Sequence, residues 1–233
     1  MLMRFLVLLL LLFTSYTGYA LKTQPDSLYR AKKIISNLDY IPFSSIRDGC
    51  FARALYMGME LTIKNIPVNN SYLIGKLRPK GARWKWHVAP MILGPKKLPY
   101  ILDPSFSKSP IPANKWVKMS NPVSKTKLYV APISHYKKET VGKLAKKKRP
   151  GYTWASQVDE VGEIPQFKVK DIANACKTAF KHIGKEELSS RQKRAKRLKL
   201  LRRTRYLVKT LDKLGKLKGD AKSVSCKNIA LKI

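Results

Sequence analysis

Two apolar runs, Trp84 to Leu93 and Leu98 to Leu102, flank the turn-forming stretch Gly94-Pro95-Lys96-Lys97. Runs of this length around a Gly-Pro turn predict an antiparallel hairpin, and no other stretch narrows the fold as much. A hairpin buries one face at least, so helices or further strands must cover it. If the turn is centred on Pro95, residues whose numbers sum to twice 95 face each other. His87 and Asp103 satisfy that condition. Directly opposed residues share a face, with Cβ atoms about 4.5–5.5 Å apart. The spacing can therefore set a carboxylate beside an imidazole, whereas a one-residue slip in register sends them to opposite faces.

Ahead of the hairpin, Asp48-Gly49-Cys50-Phe51-Ala52-Arg53-Ala54 runs from a polar turn into a helix-forming run. Phe51, Leu55, Tyr56 and Met59 recur at helical spacing, so a helix is expected from Cys50 to about Lys64. A thiol at a helix N-terminus meets the positive end of the helix dipole and the unpaired N–H groups of the first turn. Both favour the thiolate, the nucleophilic form. An earlier helix is expected to start at Pro25-Asp26-Ser27, capped by Asp26 or Ser27, and to reach about Leu38. Ser71 to Leu77 reads as a further strand. Asn114 to Met119, Lys127 to Ile133 and Phe167 to Ile172 fit either strands or short helices, and Ile172 to Ile183 looks helical.

The formal charge of +34 sets the other boundary condition. Self-repulsion of this size opposes compaction and attracts polyanions. It concentrates late in the chain, where Lys181 to Lys218 holds fifteen Lys or Arg against three Asp or Glu. Leu200, Leu207, Leu211 and Leu214 fall on one helical face there, with basic residues elsewhere, which reads as a basic amphipathic helix or two. Lys146 to Gly151 is a charged break and a candidate boundary. An apolar share of 44% still supports a real core.

Arg4, the apolar run Phe5 to Phe13 and the small-x-small site Gly18-Tyr19-Ala20 read as a cleavable secretory signal, cut after Ala20. The expected organisation is therefore a signal at 1–20, a catalytic domain at 21–145 and a basic, partly helical extension at 146–233. The location is secreted or periplasmic. Of the cysteines Cys50, Cys176 and Cys226, one must remain unpaired within the chain, and pairing Cys176 with Cys226 leaves Cys50 free.

A cysteine nucleophile needs a base, and the base needs an orienting group. Cys50, His87 and Asp103 supply these in the chain order of papain-like enzymes. Each has a plainer reading. Cys50 could be a small buried hydrophobe, His87 a hydrogen-bonded core histidine, and Asp103 a turn starter before Pro104. Trp84 and Trp86 read as core or pocket-wall residues. His135 and His182 sit among basic and polar neighbours with no evident partner. No two Cys or His residues fall at zinc-ligand spacing, so no metal is expected.

Three segments together resemble the bacterial protein-glutaminase family, which deamidates glutamine side chains within proteins. They are Asp48-Gly49-Cys50-x-Ala52-Arg53-Ala54-x-x-Met57, then Trp84-x-x-His87-Val88-Ala89, then Ile101-Leu102-Asp103-Pro104-Ser105. The resemblance runs from about Tyr40 to Trp116. It implies an α+β fold with a papain- or transglutaminase-like core, the Cys-bearing helix packed on an antiparallel sheet. It implies Cys50 as nucleophile, His87 as general base and acid, Asp103 as orienting carboxylate, and chemistry without a cofactor. Trp84 and Trp86 are the candidate substrate-binding residues. Secreted members carry a sizeable pro-region. Only about 30 residues separate Ala20 from Cys50 here, so control by a long pro-segment is not expected. The basic stretch from about Lys137 has no counterpart in the resemblance.

The resulting expectation is a monomeric, secreted protein-glutamine amidohydrolase acting on exposed glutamines. A cysteine peptidase or a transglutaminase would use the same triad. A polycationic protein that binds nucleic acid or an anionic envelope is the alternative from another class. An anionic partner (nucleic acid, acidic protein or envelope polymer) on the basic C-terminal segment is compatible with either.

Overall fold

The computed structural model describes residues 26–42, 49–123, 126–132, 166–226 and 229–230. The signal segment, His135 and the expected boundary near 146 lie outside the described residues. Helix α1 (Asp26–Ser36) leads to the Cys-bearing helix α2 (Cys50–Thr62). Five antiparallel strands follow: β1 (Asn69–Leu77), β2 (Trp84–Leu93), β3 (Pro99–Ile101), β4 (Ile111–Pro112) and β5 (Lys127–Pro132). They stand in the order β4-β3-β2-β1-β5. Helix α3 (Ala113–Met119) lies between β4 and β5 in sequence. Past 166 come β6 (Phe167–Lys168), helix α4 (Val169–Ile183), helix α5 (Ser190–Lys213) and β7 (Leu217–Lys218). A short pair, β8 (Ser225–Cys226) and β9 (Ile229–Ala230), completes the described residues.

The sheet is covered on both faces, which fits its apolar strands. Leu73, Leu77, Ala89, Met91 and Ile101 pack with Trp116 of α3 on one face. Tyr72, Val88, Tyr129 and Ala131 pack with Ala54 of α2 on the other, and Cys50, Phe51 and Trp86 sit at the margin of that cluster. Every residue of α2 from Ala52 to Leu61 is buried. A helix buried all round needs neighbours on its far side, and α1, α4 and α5 provide them in one continuous apolar core.

The basic segment therefore enters the fold from an unexpected side. The buried faces of α4 (Ile172, Ala175, Ala179, Ile183) and α5 (Leu200, Leu207, Val208, Leu211) close the core around α2. Polar links reinforce them. The Tyr56 and Thr204 hydroxyls are 2.6 Å apart. Glu60, buried on α2, accepts from the Tyr40 hydroxyl at 2.6 Å and from Arg203 Nε at 2.7 Å. The second Arg203 nitrogen completes a fork on the same carboxylate. Such two-point pairing suits a buried carboxylate, which would be costly alone. Cys176 of α4 and Cys226 of β8 form a disulfide, with Cα atoms 5.3 Å apart, and Cys50 is a free thiol. The disulfide matches the pairing read from the sequence.

The hairpin register differs from the expected one. Met91 faces Ile101 and Ile92 faces Tyr100, so the centre is Lys96 rather than Pro95. Pro95–Lys97 forms a single 3-10 turn, closed by the Leu98 N–H donating to Pro95 O at 3.1 Å, and the Gly94 N–H donates across the hairpin to Leu98 O at 2.8 Å. Moving the centre by one residue moves each partner by two, which preserves the face. The strand β3 stops at Ile101, so Asp103 leaves the ladder just beyond it. The N-cap expectation for α1 also changes, because the Ser27 hydroxyl donates across to Leu93 O at 3.4 Å.

Candidate active site

Gly49 sets the entry to α2. Its φ of 86° lies in the left-handed region, which glycine adopts without steric penalty. The chain thus turns sharply and presents Cys50 as the first residue of the helix, half-buried and reachable. The N–H of Cys50 is among the first-turn donors that the helix itself cannot satisfy.

His87 lies on the central strand β2, opposite Leu73 of β1. It is buried, and so is Asp103. The imidazole Nε2–H donates to Asp103 Oδ2 at 2.7 Å. The imidazole also hydrogen-bonds the Cys50 thiol, which leaves Nδ1 for the sulfur. Burial opposes a charge on the ring. The Asp103 carboxylate, through its charge and hydrogen bond, and the Cys50 sulfur outweigh it and push His87 up to about 9. Burial likewise opposes a charge on Asp103, but His87, the Trp116 donor and the Arg53 charge hold its carboxyl below the usual range. The three residues singled out in the sequence are therefore in hydrogen-bonded sequence, sulfur to ring to carboxylate.

Asp103 is held from two further directions. The indole Nε1–H of Trp116 donates to Oδ2 at 2.8 Å, and the backbone N–H of Ser105 donates to Oδ1 at 3.1 Å. A buried indole N–H needs an acceptor, and here that acceptor is the carboxylate that orients His87. Trp116 is fully buried and belongs to α3. It was not identified as a site residue in the sequence. A tryptophan thirteen residues after the carboxylate carries no motif, and only the return of α3 over the sheet brings the two together.

The imidazole is bracketed by rings. Trp84 lies 4.5 Å from it, centroid to centroid, and Trp116 lies 5.6 Å away, both tilted by 32°. Phe106 meets it edge-on at 5.9 Å. Of the two candidate substrate-binding residues, Trp84 thus packs directly on the imidazole, while Trp86 sits with Cys50 and Phe51 beside the Tyr72 cluster. Both are half-buried. Tyr72 is buried near the thiol, and burial, with the Cys50 charge, raises its phenol and keeps it protonated.

His182 departs from its expected polar setting. It is buried at the end of α4, and its ring lies against the turn before Cys50. A Cβ at Gly49 would stand 3.1 Å from His182 Nε2. The reason is the packing of α4 on α2, which turns a residue in a basic stretch inward.

Residues 26–120 match a family model described as glutaminase, of the glutamine-deamidase type. That stretch contains Cys50, His87, Asp103 and Trp116, and it supports a glutamine amidohydrolase. No curated protein matches the chain. Three solved structures resemble it. The NMR structure of protein-glutaminase from Chryseobacterium proteolyticum has 20% identity and a TM-score of 0.42, over 46% of this chain and 71% of that one. A crystal structure of protein-glutaminase has 18% identity and a TM-score of 0.46, over 65% of this chain and 85% of that one. A crystal structure of pro-protein-glutaminase has 23% identity and a TM-score of 0.37, over 41% of this chain and 39% of that one.

Proposed function

We propose, from the glutaminase match over residues 26–120, that the chain hydrolyses glutamine side chains in proteins or peptides, with Cys50 as nucleophile. The observation that carries the reading is the bonded sequence of thiol, imidazole and carboxylate at the start of α2. The ring beside the sulfur is placed to exchange a proton with the reacting groups, and Asp103 stabilises the protonated ring. The Cys50 sulfur attacks the γ-carboxamide carbon. The carbonyl oxygen becomes an oxyanion, for which the Cys50 N–H at the helix start is a suitable donor. His87 gives its proton to the departing nitrogen, and ammonia leaves behind a thioester. His87 then takes a proton from water as the water attacks that thioester. The products are a glutamate side chain and the regenerated thiol, so one water is consumed for each ammonia released. Trp84 and Trp86 are proposed as walls for the incoming side chain.

A peptidase or transglutaminase would use the same three groups and differ in acyl donor or acceptor. The deciding experiment is ammonia release from a glutamine-containing protein, with intact-mass analysis. Deamidation predicts ammonia with each amide replaced by an acid, an uncut chain and no crosslinks. Cys50→Ala is expected to abolish release while the fold persists. Full release by that variant, or cleavage or crosslinking in place of release, would overturn the reading.

A further inference from the structure

Apart from the half-buried Lys193, the cations of α5 sort into two groups. One group turns toward the protein and is engaged. Lys196 pairs with Glu186 at 2.7 Å, Lys199 with Asp39, and Arg203 with Glu60. The Arg197 guanidinium stacks over the Phe180 ring at 4.6 Å. The other group comprises Arg191, Arg194, Arg202, Arg205, Lys209 and Lys213, all exposed. None of these six has an acidic partner among the described residues.

Position along the helix explains the sorting. At 3.6 residues per turn the six fall within an arc of about 100°, roughly opposite the buried Leu200, Thr204, Leu207 and Leu211. At 1.5 Å per residue they span about 33 Å. Within that arc Ala195 and Leu198 interrupt them, and Asp212 adds a lone acid at the last turn. Tyr206 borders the strip, half exposed, with the Arg203 guanidinium 4.7 Å from its ring centre. The result is a straight line of unneutralised charge on a helix whose other side is fixed in the core.

We propose that this outer face of α5 binds the phosphodiester backbone of a nucleic acid. Four of the six cations are arginines, whose planar forks match phosphate oxygens. A rigid, predominantly positive line, with Asp212 its one acid, suits a polymer with evenly repeated charge better than the scattered carboxylates of a folded protein. A membrane surface fits less well. Insertion would need an apolar band beside the cations, and the apolar band of α5 is sealed in the core. Tyr206 with Arg203 adds a ring and a guanidinium plane of the kind on which bases stack. Binding here does not depend on the deamidase reading.

The test uses the full chain and a fluorescent DNA duplex of mixed sequence. It compares R191Q/R194Q/R202Q/R205Q with K32Q/K33Q/K115Q/K118Q, which removes the same charge from exposed positions elsewhere. Six phosphate contacts predict a slope of about −5 in log affinity against log salt, a loss of about a thousandfold between about 50 and 200 mM. Losing four contacts should flatten the slope to about −2, a loss of about tenfold over the same range. The control variant should keep nearly the full slope. Circular dichroism checks that each variant is folded. An equal fall in both variants would assign binding to diffuse charge and overturn the proposal. So would binding to phosphatidylglycerol vesicles or polyglutamate as tight as to the duplex.

Discussion

Asp103→Asn tests the electrostatic logic of the site most directly. The side chain keeps its shape and loses its charge. In the native protein the ring of His87 is raised from 6.5 to about 9 despite its burial. At 1.36 kcal/mol per pH unit, that preference for the charged ring is worth about 3 kcal/mol. Removing the carboxylate leaves burial, which favours the neutral ring, and His87 should then titrate below 6.5. The assay is kcat/KM for ammonia release across pH, with the His87 ring titrated by NMR. Native activity should hold through neutrality and fall as pH passes about 9, when the ring loses its proton. The variant's alkaline limb should move below neutrality, and its rate at pH 7 should drop by about 10²–10⁴. Stability carries the same sign. A raised histidine contributes fully below 6.5, and that contribution is lost as pH rises through about 9. Asp103, held low, contributes above the ordinary carboxyl value of 3.8 and loses that contribution as pH falls through its depressed value. An alkaline limb that stays near 9 in the variant would refute the claim that Asp103 holds the proton on His87.

Three further changes probe the supports of the site. Trp116→Phe removes the indole donor from Asp103, a hydrogen bond to a charged group worth about 1.5–3 kcal/mol. Activity should fall about tenfold with the alkaline limb at or above 9, because the carboxylate keeps its charge, and a limb displaced downward would contradict this. Gly49→Ala forces a side chain into the left-handed region, at about 1–2 kcal/mol, and against His182. Thermal melting should register that cost and kcat should fall further than stability alone explains; an unchanged melting temperature would show that the turn is not constrained as described. Reduction of the Cys176–Cys226 disulfide opens a loop with a sequence separation of 50, worth about 4 kcal/mol in the chain-entropy account. The denaturant midpoint should drop on reduction, and no drop would argue against a constraint from this bridge.

The proximity of Cys50, His87 and Asp103 was more legible in the sequence than the fold around them. Cys50, His87 and Asp103 were legible because a helix start, a strand and a turn each leave local signals, and because a two-residue error in the hairpin register preserves the face. Trp116 and His182 were not legible, since both reach the site through tertiary packing of α3 and α4. The helix α2 shows the same limit. Its apolar positions read as one amphipathic face, yet it is buried from Ala52 to Leu61, including Arg53 and Glu60. Charged residues read as surface unless their partners are known, and the Arg203 fork on Glu60 arrives from 143 residues away.

That fork alters what the basic C-terminal segment can be. The sequence set 146–233 apart from the catalytic domain as a basic, partly helical extension, because a run of lysines and arginines reads as a solvated face. The described helices instead do two things with opposite sides. The inner sides of α4 and α5 close the core around α2, set His182 against Gly49 and hold the disulfide. The outer side of α5 keeps its charge for solvent or a partner. Deleting everything after Lys181 would therefore strip apolar cover and the Glu60 counter-charge from the Cys-bearing helix. Loss of activity in such a truncation would report a collapsed core, whether or not the segment docks anything. Docking and catalysis can be separated only by substitutions confined to the outer strip, where the side chains touch neither the core nor the site.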